Sequence, residues 1–70
     1  MAYILKIKGT GKIPDFVQIR DKDMTLRAYF RLDQQKSGIK KSNLEEYTSL
    51  IMTVLETIPF GKLKNIDIIL

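Results

Sequence analysis

The chain has 70 residues, twelve Lys/Arg against eight Asp/Glu, a formal net charge of +4, and neither cysteine nor histidine. A chain this short makes one domain, residues 1–70, that buries only about 60% of its unfolded surface. It has no disulfide or thiolate metal site, and it lacks the commonest general base and imidazole ligand.

Ala2–Lys8 alternates in polarity, Tyr3, Leu5 and Ile7 against Ile4, Lys6 and Lys8, and reads as a first strand. Gly9-Thr10-Gly11 and Pro14 then mark a loop. Its Gly9–Lys12 stretch lacks the spacing of a phosphate loop and leads into a proline rather than a helix. Phe16–Arg20 is a second strand, with Val17 and Ile19 on one side and Phe16, Gln18 and Arg20 on the other. Asp21-Lys22-Asp23 is a polar turn, so the second and third strands should form a hairpin. Met24–Leu32 is that third strand: Leu26, Ala28, Phe30 and Leu32 alternate with Thr25, Arg27, Tyr29 and Arg31.

Asp33–Lys41 is polar, with Ile39 among charged residues, and suits a loop or a short lysine-protected edge strand. Ser42-Asn43-Leu44-Glu45 has the form of a capping box. The following Leu44, Tyr47, Leu50, Ile51, Val54, Leu55 and Ile58 define one apolar helical face, ended by Pro59-Phe60-Gly61. Leu63–Leu70 alternates again and reads as a last strand. The expected fold is α+β: an antiparallel or mixed curved sheet of four to five strands with one helix packed on one face, in the order β-β-β-(β)-α-β.

One helix covers one face of such a sheet. With Leu5, Ile7, Val17, Ile19, Leu26, Ala28, Phe30 and Leu32 against it, the other face should carry Lys6, Lys8, Phe16, Gln18, Arg20, Arg27, Tyr29 and Arg31. That is five cations and two aromatics with no acid. Cations can follow phosphates, and aromatic stacking contributes about 1–3 kcal/mol per base, so the pattern suits single-stranded nucleic acid. Charge asymmetry agrees: residues 1–41 hold ten cations and four acids, net +6, while residues 42–70 hold two and four, net −2. A solvated antiparallel face is also polar, and cross-strand aromatics stabilise sheets by themselves.

Phe16-Val17-Gln18-Ile19-Arg20-Asp21, Tyr29-Phe30 ahead of Asp33, Gly38-Ile39, and Asn43-Leu44-Glu45-Glu46-Tyr47-Thr48-Ser49-Leu50 together resemble, over residues 16–50, the positive-cofactor-four family of transcription coactivators. That family has a strand ending Val-Arg-Asp, a strand with adjacent aromatics, a Lys-Gly-Ile strand and a helix opening Asn-Pro-Glu-Gln-Trp. The resemblance implies a homodimer of curved sheets backed by helices, with single-stranded DNA held on the sheet. Arg20, Arg27, Tyr29 and Arg31 would be sheet contacts, Lys40 and Lys41 basic residues at the end of the short strand, and Tyr47 the family's tryptophan position. This chain departs from the pattern in its short acidic turn at 21–23, one residue inserted between Gly38 and Asn43, and the added segment 63–70.

The expected function is therefore binding of single-stranded DNA or RNA with little sequence specificity, as a homodimer, in transcription or replication. The expected contacts are Lys6, Lys8, Phe16, Arg20, Arg27, Tyr29, Arg31, Lys40 and Lys41. No cofactor, metal or catalytic residue is expected, since the carboxylates are scattered and Asp21 with Asp23 suits a solvated turn. Absence of cysteine suits a reducing cytoplasm or the nucleoid, and no apolar run approaches a membrane span or secretory signal. The alternative is a protein-interaction module that uses the open sheet face or the last strand, with Phe16, Tyr29 and Ile69 as anchors.

Overall fold

The computed structural model describes residues 1–70. It is α+β, built as β1 (Ala2–Ile7), β2 (Phe16–Asp21), β3 (Leu26–Arg31), α1 (Gln35–Lys41), α2 (Thr48–Thr57) and β4 (Lys64–Ile66). Short 3₁₀ turns at Leu32–Gln34 and Glu45–Tyr47 lead into the two helices. The four strands form one antiparallel sheet in the order β3-β2-β1-β4. The β2–β3 hairpin turns at Asp21, whose carboxylate accepts the backbone N–H of Asp23 (2.9 Å) and of Thr25 (3.0 Å). Met24 sits at φ +67°, the left-handed conformation that so short a connection requires.

Both helices lie on one side of the sheet. Ala2, Ile4, Val17, Ile19, Ala28 and Phe30 from the strands meet Ile39, Ile51, Val54, Leu55 and Ile58 from the helical layer. Ile66 and Ile68 close the core from the last segment, where strand pairing itself ends at Ile66. The alternation expected across Leu63–Leu70 persists as burial, although only three of its residues form a strand.

Three expectations change. The 35–41 segment is a helix rather than a loop or a short edge strand, because Ile39 is drawn wholly into the core and Gly38 lets the helix press against Phe30. A Cβ at Gly38 would overlap the Cβ and Cγ of Phe30. The Ser42–Glu45 capping box does not form, because the preceding helix claims Ser42. Its backbone N–H and its hydroxyl both donate to the Gly38 carbonyl, the hydroxyl at 2.8 Å. The second α-helix therefore starts at Thr48, and Leu50 is left exposed on its surface.

The third change is the facing of β1. Ala2, Ile4 and Lys6 point into the core, and Tyr3, Leu5 and Ile7 lie on the uncovered face. Lys6 is 8% exposed; its ammonium donates to the Leu55 carbonyl at the end of α2 (2.9 Å) and stands 4.5 Å from the centre of the Phe60 ring. A long aliphatic stem with a charged tip can lie along apolar surface while the tip finds acceptors, and here those acceptors are a helix-end carbonyl and an aromatic face.

Candidate nucleic-acid interface

Strand register converts the uncovered face into a three-by-three array. Tyr3 pairs with Arg20 and Arg20 with Leu26; Leu5 pairs with Gln18 and Gln18 with Tyr29; Ile7 pairs with Phe16 and Phe16 with Arg31. The β1 column is thus apolar, and the β2 and β3 columns hold the arginines and a stacked aromatic pair. Phe16 and Tyr29 are diagonal neighbours across the ladder, close enough for large side chains to meet. Their ring centroids are 4.7 Å apart with 8° between planes. Tyr29 remains 54% exposed, so the pair still offers ring surface to a ligand.

The two arginines of the face differ in what holds them. Arg20 donates to the Met24 carbonyl (2.8 Å) and the Gln18 side-chain oxygen (3.1 Å), which orients it without neutralising it. Arg31 makes a two-pronged pair with Asp33, Nε to Oδ1 at 3.0 Å and Nη2 to Oδ2 at 2.7 Å. That hydrogen bond holds the Asp33 carboxyl below its ordinary range and raises Arg31. The face expected to be free of acids therefore has a carboxylate on one of its cations.

The remaining expected contacts lie elsewhere. Lys6 is in the core. Lys8 is near Asp15 (3.9 Å) and also stands over the Phe60 ring (5.0 Å). Arg27 is displaced by a β-bulge opposite Ile19/Arg20, which breaks the simple alternation of β3. Its guanidinium pairs with Asp21 (3.3 Å) and lines a hollow of about 340 Å³ against Ser42–Leu44 and Tyr47 on the helical side. Leu26, expected inside, pairs with Arg20 and is 44% exposed. Lys40 and Lys41 end α1 in solvent, and Lys41 lines a groove that also touches Phe16, Tyr29 and Arg31.

The structure thus brings together Phe16, Arg20, Tyr29, Arg31 and Lys41, and it separates Lys6, Lys8, Arg27 and Lys40 from them. It adds Tyr3, a third aromatic on the face, beside Arg20. Alternation within β1 points the other way: Tyr3, Leu5 and Ile7 are its wholly apolar set and read as the core side, whereas Lys6 sits in the set that is buried. No group of three or more His, Cys, Asp or Glu residues is arranged to hold a metal ion. No helix is long and apolar enough to cross a membrane.

Comparison with known proteins brings no neighbour to bear on this surface: no family model, curated protein or solved structure matches the chain. The Gly38-Ile39 segment, expected as a strand on the resemblance, lies in α1.

Proposed function

We propose that this domain is a non-catalytic binding module for single-stranded nucleic acid, DNA or RNA, held with little sequence preference on the uncovered sheet face. The observation that carries this reading is the Phe16–Tyr29 stack flanked on the same face by Arg20 and Arg31. An aromatic platform takes the flat face of any base, and flanking guanidiniums take phosphates. The basic balance of the chain and its resemblance to single-strand-binding coactivators favour the same ligand. A cytoplasmic or nucleoid location and a role in transcription or replication go with this reading. The contact set is Phe16, Arg20, Tyr29 and Arg31, with Tyr3 at the margin. Fluorescence anisotropy with labelled oligo-dT tests it: binding should weaken steeply with salt, by about 0.7 in logarithmic slope per phosphate engaged. Tyr29→Ala should lower affinity with little change in that slope. No binding at low salt would overturn the reading.

A second reading has its own observation. Tyr3, Leu5 and Ile7 form a continuous apolar column next to the short β4 edge, as a surface buried between two copies of the chain would. Homodimerisation through this column would leave the β2–β3 half free for the strand. Leu5→Lys should then abolish self-association in sedimentation while leaving the fold intact. A monomeric wild-type protein at high concentration would remove this reading without touching the first.

A further inference from the structure

The groove along the outer side of β3 is not explained by the open face alone. Phe16, Tyr29 and Arg31 line it from the sheet, and Gln34, Ser37 and Lys41 from the α1 side, enclosing about 290 Å³. It exists because Gly38 lets α1 lie directly on Phe30, which places the solvent side of the helix beside the aromatic stack. β3 is the outermost strand at this end of the sheet. A ligand crossing from β2 to β3 therefore leaves the sheet over this groove.

Its walls have divided chemistry. The stack contributes flat apolar surface. Neighbouring Gln35 and Ser42 spend their side-chain donors on the Leu32 and Gly38 carbonyls, whereas Gln34 and Ser37 keep an amide and a hydroxyl free to meet a polar ring edge. Lys41 has no carboxylate partner, while Arg31 has Asp33 across both prongs of its guanidinium. Two carboxylate oxygens on a guanidinium occupy the positions that two phosphate oxygens would take. An acidic peptide would satisfy the cations and leave the aromatic surface without a flat partner; a nucleotide uses both.

We infer that this groove is a nucleotide subsite, in which Lys41 and Arg31 hold one phosphate and Tyr29 stacks its base, and that Asp33 competes with that phosphate for Arg31. This inference rests on the reading of the sheet face as a single-strand surface. It extends that surface onto a helix and makes Asp33 a built-in restraint on affinity.

The test is an anisotropy titration of labelled oligo-dT against salt with wild type, Lys41→Ala, Asp33→Asn and two matched controls, Lys12→Ala in the 9–14 loop and Asp23→Asn in the hairpin turn. All four positions are exposed, and circular dichroism checks that each variant folds. Lys41→Ala should weaken binding severalfold and lower the salt slope by about 0.7. Asp33→Asn should tighten binding severalfold and steepen the slope by about the same amount, beyond what Asp23→Asn does through net charge. If Lys41→Ala matches Lys12→Ala and Asp33→Asn matches Asp23→Asn, while wild type still binds and Tyr29→Ala weakens it, the subsite is overturned and the sheet-face reading stands. If wild type does not bind at low salt, both fall.

Discussion

β1 and β3 carry the same kind of pattern, apolar residues alternating with cations, and the sheet treats them oppositely. In β3, Tyr29 and Arg31 face solvent and Ala28 and Phe30 face the core. In β1, the cation goes inside: Lys6 is buried with Ala2 and Ile4, and Tyr3, Leu5 and Ile7 are turned outward. Period-two alternation tells two faces apart, but it does not say which is the core when a lysine can send its stem inward and find a carbonyl for its tip. The inversion changes the proposed binding surface. It removes two expected cations from the open face and replaces them with an apolar column, so that the face has one half suited to nucleic acid and one half suited to another protein surface.

The largest effect should come from challenging that inversion directly. Lys6→Glu puts a carboxylate among apolar side chains and against the Leu55 carbonyl, and an uncompensated buried charge destabilises by about 3–5 kcal/mol. For so small a domain that is most of its stability, so the variant should be largely unfolded by circular dichroism. Lys6→Met keeps the stem and loses one hydrogen bond, about 1 kcal/mol, and should fold. A fully stable Lys6→Glu would mean that Lys6 faces solvent.

Gly38→Ala should come next. Alanine would favour an isolated helix over glycine by about 1 kcal/mol, yet here the added methyl meets the Phe30 ring, and overpacking of this kind costs about 1–3 kcal/mol. Urea denaturation should show a net loss. A net gain would mean that α1 stands off β3 and that the groove between them is wider than described.

The smallest effect concerns the hairpin turn that holds Arg27 away from the open face. Burial raises the Asp21 carboxyl, but the backbone N–H groups of Thr25 and Asp23 and the Arg27 guanidinium outweigh it and hold the carboxyl below its ordinary value of 3.8. A carboxyl depressed in the folded state contributes stability that is fully present above about pH 4 and is lost as pH falls through the folded value. Asp21→Asn should therefore flatten the acid limb of a stability–pH profile below about pH 4. An unchanged limb would contradict the hold of the Thr25 and Asp23 amides and the Arg27 guanidinium on this carboxyl.

Much of the fold was legible because its signals were redundant. Val17 and Ile19 are buried and Phe16, Gln18 and Arg20 are not, as alternation requires; the Asp21–Asp23 turn also holds, and of the expected helical face Leu44, Ile51, Val54, Leu55 and Ile58 are buried while Leu50 is exposed and Leu44 precedes the helix. What failed was local chemistry with two outlets. Ser42 serves a capping box in sequence but serves the end of α1 in the structure, because a helix already formed upstream supplies the Gly38 carbonyl. Ile39 between lysines fits an edge strand until the core claims it. A bulge leaves no mark in the sequence, so Arg27 and Leu26 exchange sides unseen. Of the expected contacts, Phe16 and Arg20 on β2 and Tyr29 and Arg31 on β3 lie on the uncovered face as alternation places them, Tyr29 and Arg31 being on the part of β3 that keeps its register with β2.

The central claim, that the β2–β3 half of the uncovered face is the ligand surface, is tested most directly by backbone amide chemical shifts during an oligo-dT titration at low salt. The account predicts that the largest shifts fall at Phe16, Arg20, Tyr29 and Arg31, extend to Ser37 and Lys41, and leave Lys6 and Arg27 nearly unmoved. Shifts centred on Arg27, Asn43 and Tyr47, or on the Lys8–Phe60 corner, would contradict it, as would a spectrum that oligo-dT does not change.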